Sequence, residues 1–101
     1  MDISKKIISA VIACYNDSQA IPEMHRRLTA AFNKIGIDYE IIFVNDGSTD
    51  QSKNKILQFI KQNKKKNFNT KIKLISHTKN VGKGYAIKKG IFISKSKWIL
   101  T

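Results

Sequence analysis

The sequence predicts an α/β fold on a parallel sheet, in the order βαβαβαβ, and three observations predict it. Apolar runs rich in β-branched residues occur at Ile7–Ala13 and Tyr39–Val44, the pattern of strands covered on both faces. Between them, apolar residues return at helical spacing. Each strand is followed by a short polar loop, and strands alternating with helices in this way form parallel sheets with right-handed crossovers.

The elements follow in order. After Ile7–Ala13 and the loop Tyr15-Asn16-Asp17-Ser18, the positions Ile21, Met24, Leu28, Ala31, Phe32 and Ile35 mark one apolar helix face, with Pro22 tolerated in the first turn and Gly36 ending the run. The strand Tyr39–Val44 leads into a polar turn, Asn45–Asp50, where Ser48 and Gln51 have the spacing of a capping box. Ile56, Leu57 and Ile60 continue the helix that this box would start, and Lys61–Lys66 reads as its solvated basic end. Lys71–Ser76 is a third strand, carried by Ile72, Leu74 and Ile75. Asn80–Tyr85 then opens a helix through Ala86, Ile87 and Gly90, and Lys97–Leu100 begins a fourth strand. The loops after the strands fall along one edge of such a sheet, where ligands of this fold bind.

Composition bounds the function. The 101 residues, 42% of them hydrophobic, suffice for one modest core, and a single domain over residues 1–101 is expected. No apolar run approaches the roughly 18 to 20 residues of a membrane span, and Met1–Lys6 lacks the succession of a signal peptide. The expected location is the cytoplasm, with attraction to anionic membrane surfaces open to a chain of net charge +12. Specific nucleic-acid binding is disfavoured: nearly all the basic residues are Lys, and Lys, Ile and Asn together point to A/T-rich codons rather than to a selected partner. Cys14 is the only cysteine, so disulfides and cysteine-based zinc sites are out. It reads as a buried, inert thiol, because neither His25 nor His77 stands in a recognisable partnering context.

Three loops carry the candidate chemistry: Tyr15–Ser18, Asn45–Asp50 and His77–Gly84. Asp46 has the acceptors for a nucleobase NH or for ribose hydroxyls, and equally those of a turn aspartate bonding its own backbone. Tyr15 offers a ring to stack on a base. In the third loop Gly82 and Gly84 let the backbone approach a phosphate, with Lys83 adding a point charge, although neither the phosphate-loop nor the dinucleotide fingerprint is matched. Lys79 and Asn80 serve equally as a solvated charge and a loop cap.

Taken together, Val11–Asp17, Glu40–Asp50 and Asn80–Ala86 resemble the opening of family 2 glycosyltransferases, and the resemblance covers essentially the whole chain. Within that family it is most similar to the polyprenyl-phosphate or dolichyl-phosphate sugar transferase branch, whose first helix often carries the Ala20-Ile21-Pro22 pattern. The resemblance implies the nucleotide-binding half of a GT-A (Rossmann-like) domain. It places Tyr15 and Asp17 beside base and ribose, Asp46 on the base, and Asn80, Gly82, Lys83 and Gly84 near the ribose or diphosphate. It implies a UDP- or GDP-linked nucleotide-sugar as donor and a lipid phosphate such as polyprenyl phosphate, or another hydroxyl, as acceptor.

The family also uses Mg2+ or Mn2+ held by a D-x-D motif after the fourth strand, and a later acidic general base. This chain contains no D-x-D, so no metal ligands and no catalytic residues are assigned, and the expectation is a partial domain inactive alone. Ala13 stands where the family usually has proline, which should loosen that turn. Two readings compete. One is a non-catalytic interaction module completed by a separately encoded C-terminal partner chain. The other is a receiver or flavodoxin-like domain, against which Cys14-Tyr15-Asn16-Asp17 speaks by supplying one acid where a receiver needs a pair.

Overall fold

The computed structural model describes residues 8–66, 71–94 and 96–101, with the side chains of residues 63–66 and 71 left aside. Its elements are β1 (Ile8–Cys14), α1 (Ile21–Ile35), β2 (Tyr39–Asp46), α2 (Ser52–Lys66), β3 (Lys71–His77), α3 (Lys83–Ile93) and β4 (Trp98–Leu100). The strands form one four-stranded sheet in the order β3-β2-β1-β4, and every pairing is parallel. The expected βαβαβαβ parallel sheet is therefore present. Ile7 and the Met1–Lys6 segment lie outside the described residues, as do the side chains of Lys64–Lys66 in the basic helix end.

α1 starts and stops as the sequence dictates. Pro22 occupies the first turn, and Gly36 closes the helix in the left-handed conformation (φ 80°), its amide reaching the Phe32 carbonyl at 2.9 Å. α2 differs. Ser48 forms no capping box with Gln51; its hydroxyl accepts the Asn16 amide. The helix begins at Ser52, whose amide is bound by Asp50 at 2.9 Å. The capping role thus falls to the acid, whose oxygen reaches the amide two residues on.

Residue alternation along the strands divides the core between two faces. Ala10, Cys14, Tyr39, Ile41, Phe43 and Ile72 face Ile21 and Phe32 of α1 and Ile56 of α2. On the opposite face Val11, Ile42 and Val44 meet Ala86 of α3. This division follows from the strand order: the chain moves one way from β1 to β3, then returns across β2 and β1 to β4, and a right-handed crossover in the reverse direction lies on the other side. Gly90 permits the close packing of α3, since a Cβ there would stand 2.2 Å from Val11 Cγ1. Near the start of the strands on this face, the buried Glu40 carboxylate accepts the Ser9 hydroxyl and pairs with Lys73 at 2.9 Å, so a buried charge is matched by partners.

Two boundaries move. β2 was expected to end at Val44 but runs to Asp46, because β3 continues beside it with Asn45 opposite Ser76 and Asp46 opposite His77. Ala13 does not loosen a turn: it lies inside β1, opposite Val44, and the turn begins only after Cys14.

Candidate functional site

Asp46 is the last residue of β2, and the pleat buries its side chain to 2% exposure at the C-terminal end of the sheet. Its carboxylate faces the loop after β3. Oδ1 accepts the Val81 amide at 2.8 Å and Oδ2 the Gly82 amide at 2.9 Å, and His77 Nδ1 lies 3.3 Å from Oδ1. Burial alone would push this carboxyl up, but the Val81 amide, His77 and the Gly82 amide together outweigh it and hold the group below its ordinary value. His77, which had no recognisable partner in the sequence, therefore has one in the fold. Asn80 completes the connection, donating from Nδ2 to the Asp46 carbonyl at 3.3 Å.

Gly47 lets this loop come so near. It adopts φ 75°, and a Cβ there would fall 2.4 Å from the Asn80 nitrogen and 2.6 Å from the Lys79 carbonyl carbon. Only glycine fits both the conformation and the contact. Gly82 (φ 97°) in turn provides the N-cap of α3.

The loop after β1 is fastened to the loop after β2 by the side chains of Asn16, Ser48, Asp50 and Ser52, of which Asn16 and Ser52 carried no signal in the sequence. Asn16, at φ 52°, accepts the Thr49 amide on Oδ1 at 2.8 Å and donates its own amide to Ser48 Oγ at 3.0 Å. The Asp17 amide binds Ser52 Oγ at 3.0 Å and the Ser18 amide binds Asp50 Oδ2 at 3.2 Å. Hydrogen bonds from the Ser52 hydroxyl, the Ser52 amide and Ser18 hold the Asp50 carboxyl down at about 2. Beneath them Asn45 links β2 to β3 through Ser76 at 3.0 Å. Three loops are thus joined by polar contacts.

Between these loops lies a cleft of about 330 Å3, within the range of small-ligand sites. Its lining includes Tyr15, Asp17, Asp46, Asn80, Gly82 and Lys83. Gly84, inside α3, is not part of that lining. Tyr15 is 49% exposed, so its ring is not packed away. Asp17 accepts the Tyr15 amide at 3.2 Å and so shapes the turn beneath that ring. The Val81 and Gly82 amides, which a phosphate could have used, go to Asp46. Lys83, in the first turn of α3, lines the cleft beside them, at a helix end where the dipole favours negative charge.

Cys14 borders the cleft but is buried, and burial with the nearby Asp17 charge pushes its thiol up to about 12. Its burial agrees with the expectation from the sequence. His25 also lies away from the cleft, stacked on Phe59 at 4.3 Å, where burial lowers its pKa. Among the described residues no group of three His, Cys, Asp or Glu side chains could hold a metal ion.

A parallel sheet whose strand-end loops close on a polar cleft beside a helix N-terminus is a ligand-binding architecture of open α/β domains, and the sequence profile of glycosyl transferase family 2 matches residues 9–101. The chain belongs to that family. Over 45 residues it is 51% identical to an undecaprenyl-phosphate 4-deoxy-4-formamido-L-arabinose transferase from Enterobacter sp. (strain 638), a match that takes in 45% of this chain and 14% of that relative's length. The likeness to a polyprenyl-phosphate sugar transferase agrees with the branch that the Ala20-Ile21-Pro22 pattern indicated.

Proposed function

We propose that residues 1–101 form the nucleotide-recognition part of a family 2 domain, which grips the donor for sugar transfer from a UDP- or GDP-linked sugar to a lipid phosphate, polyprenyl phosphate being the acceptor class that the relative's name suggests. The observation that carries this reading is the Asp46 carboxylate, which draws the Asn80–Gly82 loop over the ends of β1 and β2 and so forms a polar cleft. In that cleft Tyr15 stacks on the base and Asp17 receives ribose hydroxyls. Lone pairs left on Asp46 accept a base NH, Asn80 and Gly82 border the ribose, and Lys83 meets the diphosphate. Gly84 acts from within the first turn of α3, where a missing side chain leaves the approach open.

Donor binding is assigned to this chain and transfer is not. The sequence has no D-x-D pair, and no ligand set for Mg2+ or Mn2+ stands among the described residues. Titrating the chain with UDP and GDP, followed by amide NMR, tests the reading. Weak binding with shifts at Tyr15, Asp46 and Lys83, lost in Asp46→Ala, is the expected outcome. Absence of shifts with both nucleotides overturns it, and sugar transfer by this chain alone overturns the restriction to binding.

A second reading keeps the same cleft but has a separate C-terminal partner chain complete it. The observation in its favour is β4, which pairs with Ile8–Ala10 of β1 and leaves Trp98, Ile99 and Leu100 between 41% and 62% exposed. Co-purification of a D-x-D-containing chain would support it.

A further inference from the structure

Charge is divided unevenly along the chain. Residues 51–101 hold fourteen of the nineteen basic residues and none of the seven acidic ones. α3 lies in this acid-free half. Its inner side is occupied by Ala86, Gly90 and Ile93 against the sheet, so helical periodicity turns Tyr85, Lys88, Lys89 and Phe92 outward. Phe92 is 86% exposed and Tyr85 48%. The two rings run along the middle of the outer face with one lysine on either flank, and Lys89 Nζ stands 5.5 Å from the centre of the Tyr85 ring. Beside this face an open groove of about 540 Å3 is lined by His77, Lys79, Tyr85 and Lys89 among others, with no carboxylate in the lining.

We propose that the outer face of α3 docks on an anionic lipid bilayer, Phe92 and Tyr85 entering the boundary between headgroups and acyl chains while Lys88, Lys89 and Lys79 meet lipid phosphates. An exposed aromatic pair flanked by lysines combines insertion of apolar surface with attraction to anionic lipid, the two contributions that bind proteins to a bilayer interface, and each basic residue near an anionic surface strengthens attachment. A nucleic-acid partner fits less well. The face offers only lysines to base edges, with no Arg, Asn or Gln beside them, and phosphate attraction alone gives no use to an exposed phenylalanine at its centre. The inference does not rest on donor binding, because the cleft and this face are tested by different ligands.

The test is flotation of the whole chain with neutral phosphatidylcholine vesicles and with vesicles containing phosphatidylglycerol. The chain should float with the anionic vesicles only and be released near ~1 M salt, where the screening length falls to about 3 Å. Phe92→Ser should weaken binding about tenfold, the effect of withdrawing a largely buried aromatic side chain. Lys88→Gln with Lys89→Gln should weaken it by a similar factor. Circular dichroism would show whether these variants remain folded. A Phe92→Trp reporter in a Trp98→Phe background should shift its emission to the blue with anionic vesicles, which tests the contact without weakening it. Equal flotation with neutral vesicles, undiminished binding by a folded Phe92→Ser variant, an unshifted reporter, or retention by RNA that excludes vesicles would each overturn the proposal.

Discussion

Asp46 holds Gly82 across 36 positions of sequence, its Oδ2 accepting the Gly82 amide at 2.9 Å. One carboxylate at the end of β2 therefore fixes the loop that precedes α3, and the effect of losing it should be larger than that of one surface bond. Asp46→Asn replaces an acceptor with a donor that faces a backbone amide, leaving buried groups mismatched. The expected cost is about 1 to 3 kcal/mol in chemical denaturation, with nucleotide binding at least about tenfold weaker. Unchanged stability would mean that the loop is held from elsewhere.

The same group sets an acid dependence. Asp46 is held below its ordinary value of 3.8, so its contribution to stability is fully present above that value and is lost as the pH falls through the lower folded-state pKa. Asp50 acts in the same sense, held at about 2. The stability difference between wild type and Asp46→Asn separates the first from the second. It should shrink as the pH falls below about 4. A difference that grows between about pH 4 and about pH 2 would contradict the assignment.

Gly47→Ala should be among the most damaging single-methyl changes. The left-handed conformation costs about 1 to 2 kcal/mol for an L-residue, and overpacking against the Asn80 and Lys79 backbone adds about 1 to 3 kcal/mol. Thermal unfolding should fall accordingly. Gly36→Ala, at φ 80° in the left-handed region with no atom within 4 Å of the added Cβ, should show the conformational part alone, and a Gly47→Ala loss no larger than this one would argue against the contact.

Asn16 separates backbone from side chain. Asn16→Gly retains access to φ 52° and removes the bond to the Thr49 amide, whereas Asn16→Ala removes the bond and also strains the backbone. The expected order of stability is wild type, then Gly, then Ala, with the first step about 1 kcal/mol. Melting temperatures of the three proteins would check it, and an alanine variant as stable as the glycine variant would show the turn to be unstrained.

Cys14, with its thiol at about 12, should resist a disulfide reagent at neutral pH while the chain is folded and react fully once denatured. Rapid labelling of the native protein would show that the cleft opens down to β1.

Most of the architecture was legible because it rests on local patterns. The apolar runs of β1 and β2, the Pro22-to-Gly36 span of α1 and the alternation of strand and helix each follow from neighbouring residues. The boundary of β2 was not, since Asn45-Asp46-Gly47 has turn composition; pairing with Ser76 and His77 on β3 keeps the first two residues extended. The capping box failed for a related reason. Ser48 has the right spacing to Gln51, but Asn16, 32 positions away, provides its partner. In the site, Asp46 and its companions stood out by type and motif, while Asn16, Ser52 and His77 did not. Their roles come from distances between loops, which spacing along the chain does not encode.

The strand order has a kinetic consequence. β2 lies between two neighbours reached over short crossovers, whereas β4 pairs with β1 across some ninety residues and through only three positions. Contacts that close long loops form late and open easily. Amide protons of β4 should therefore exchange with solvent well before those of β2, so that the sheet frays from its β4 edge while the strand bearing Asp46 remains shut.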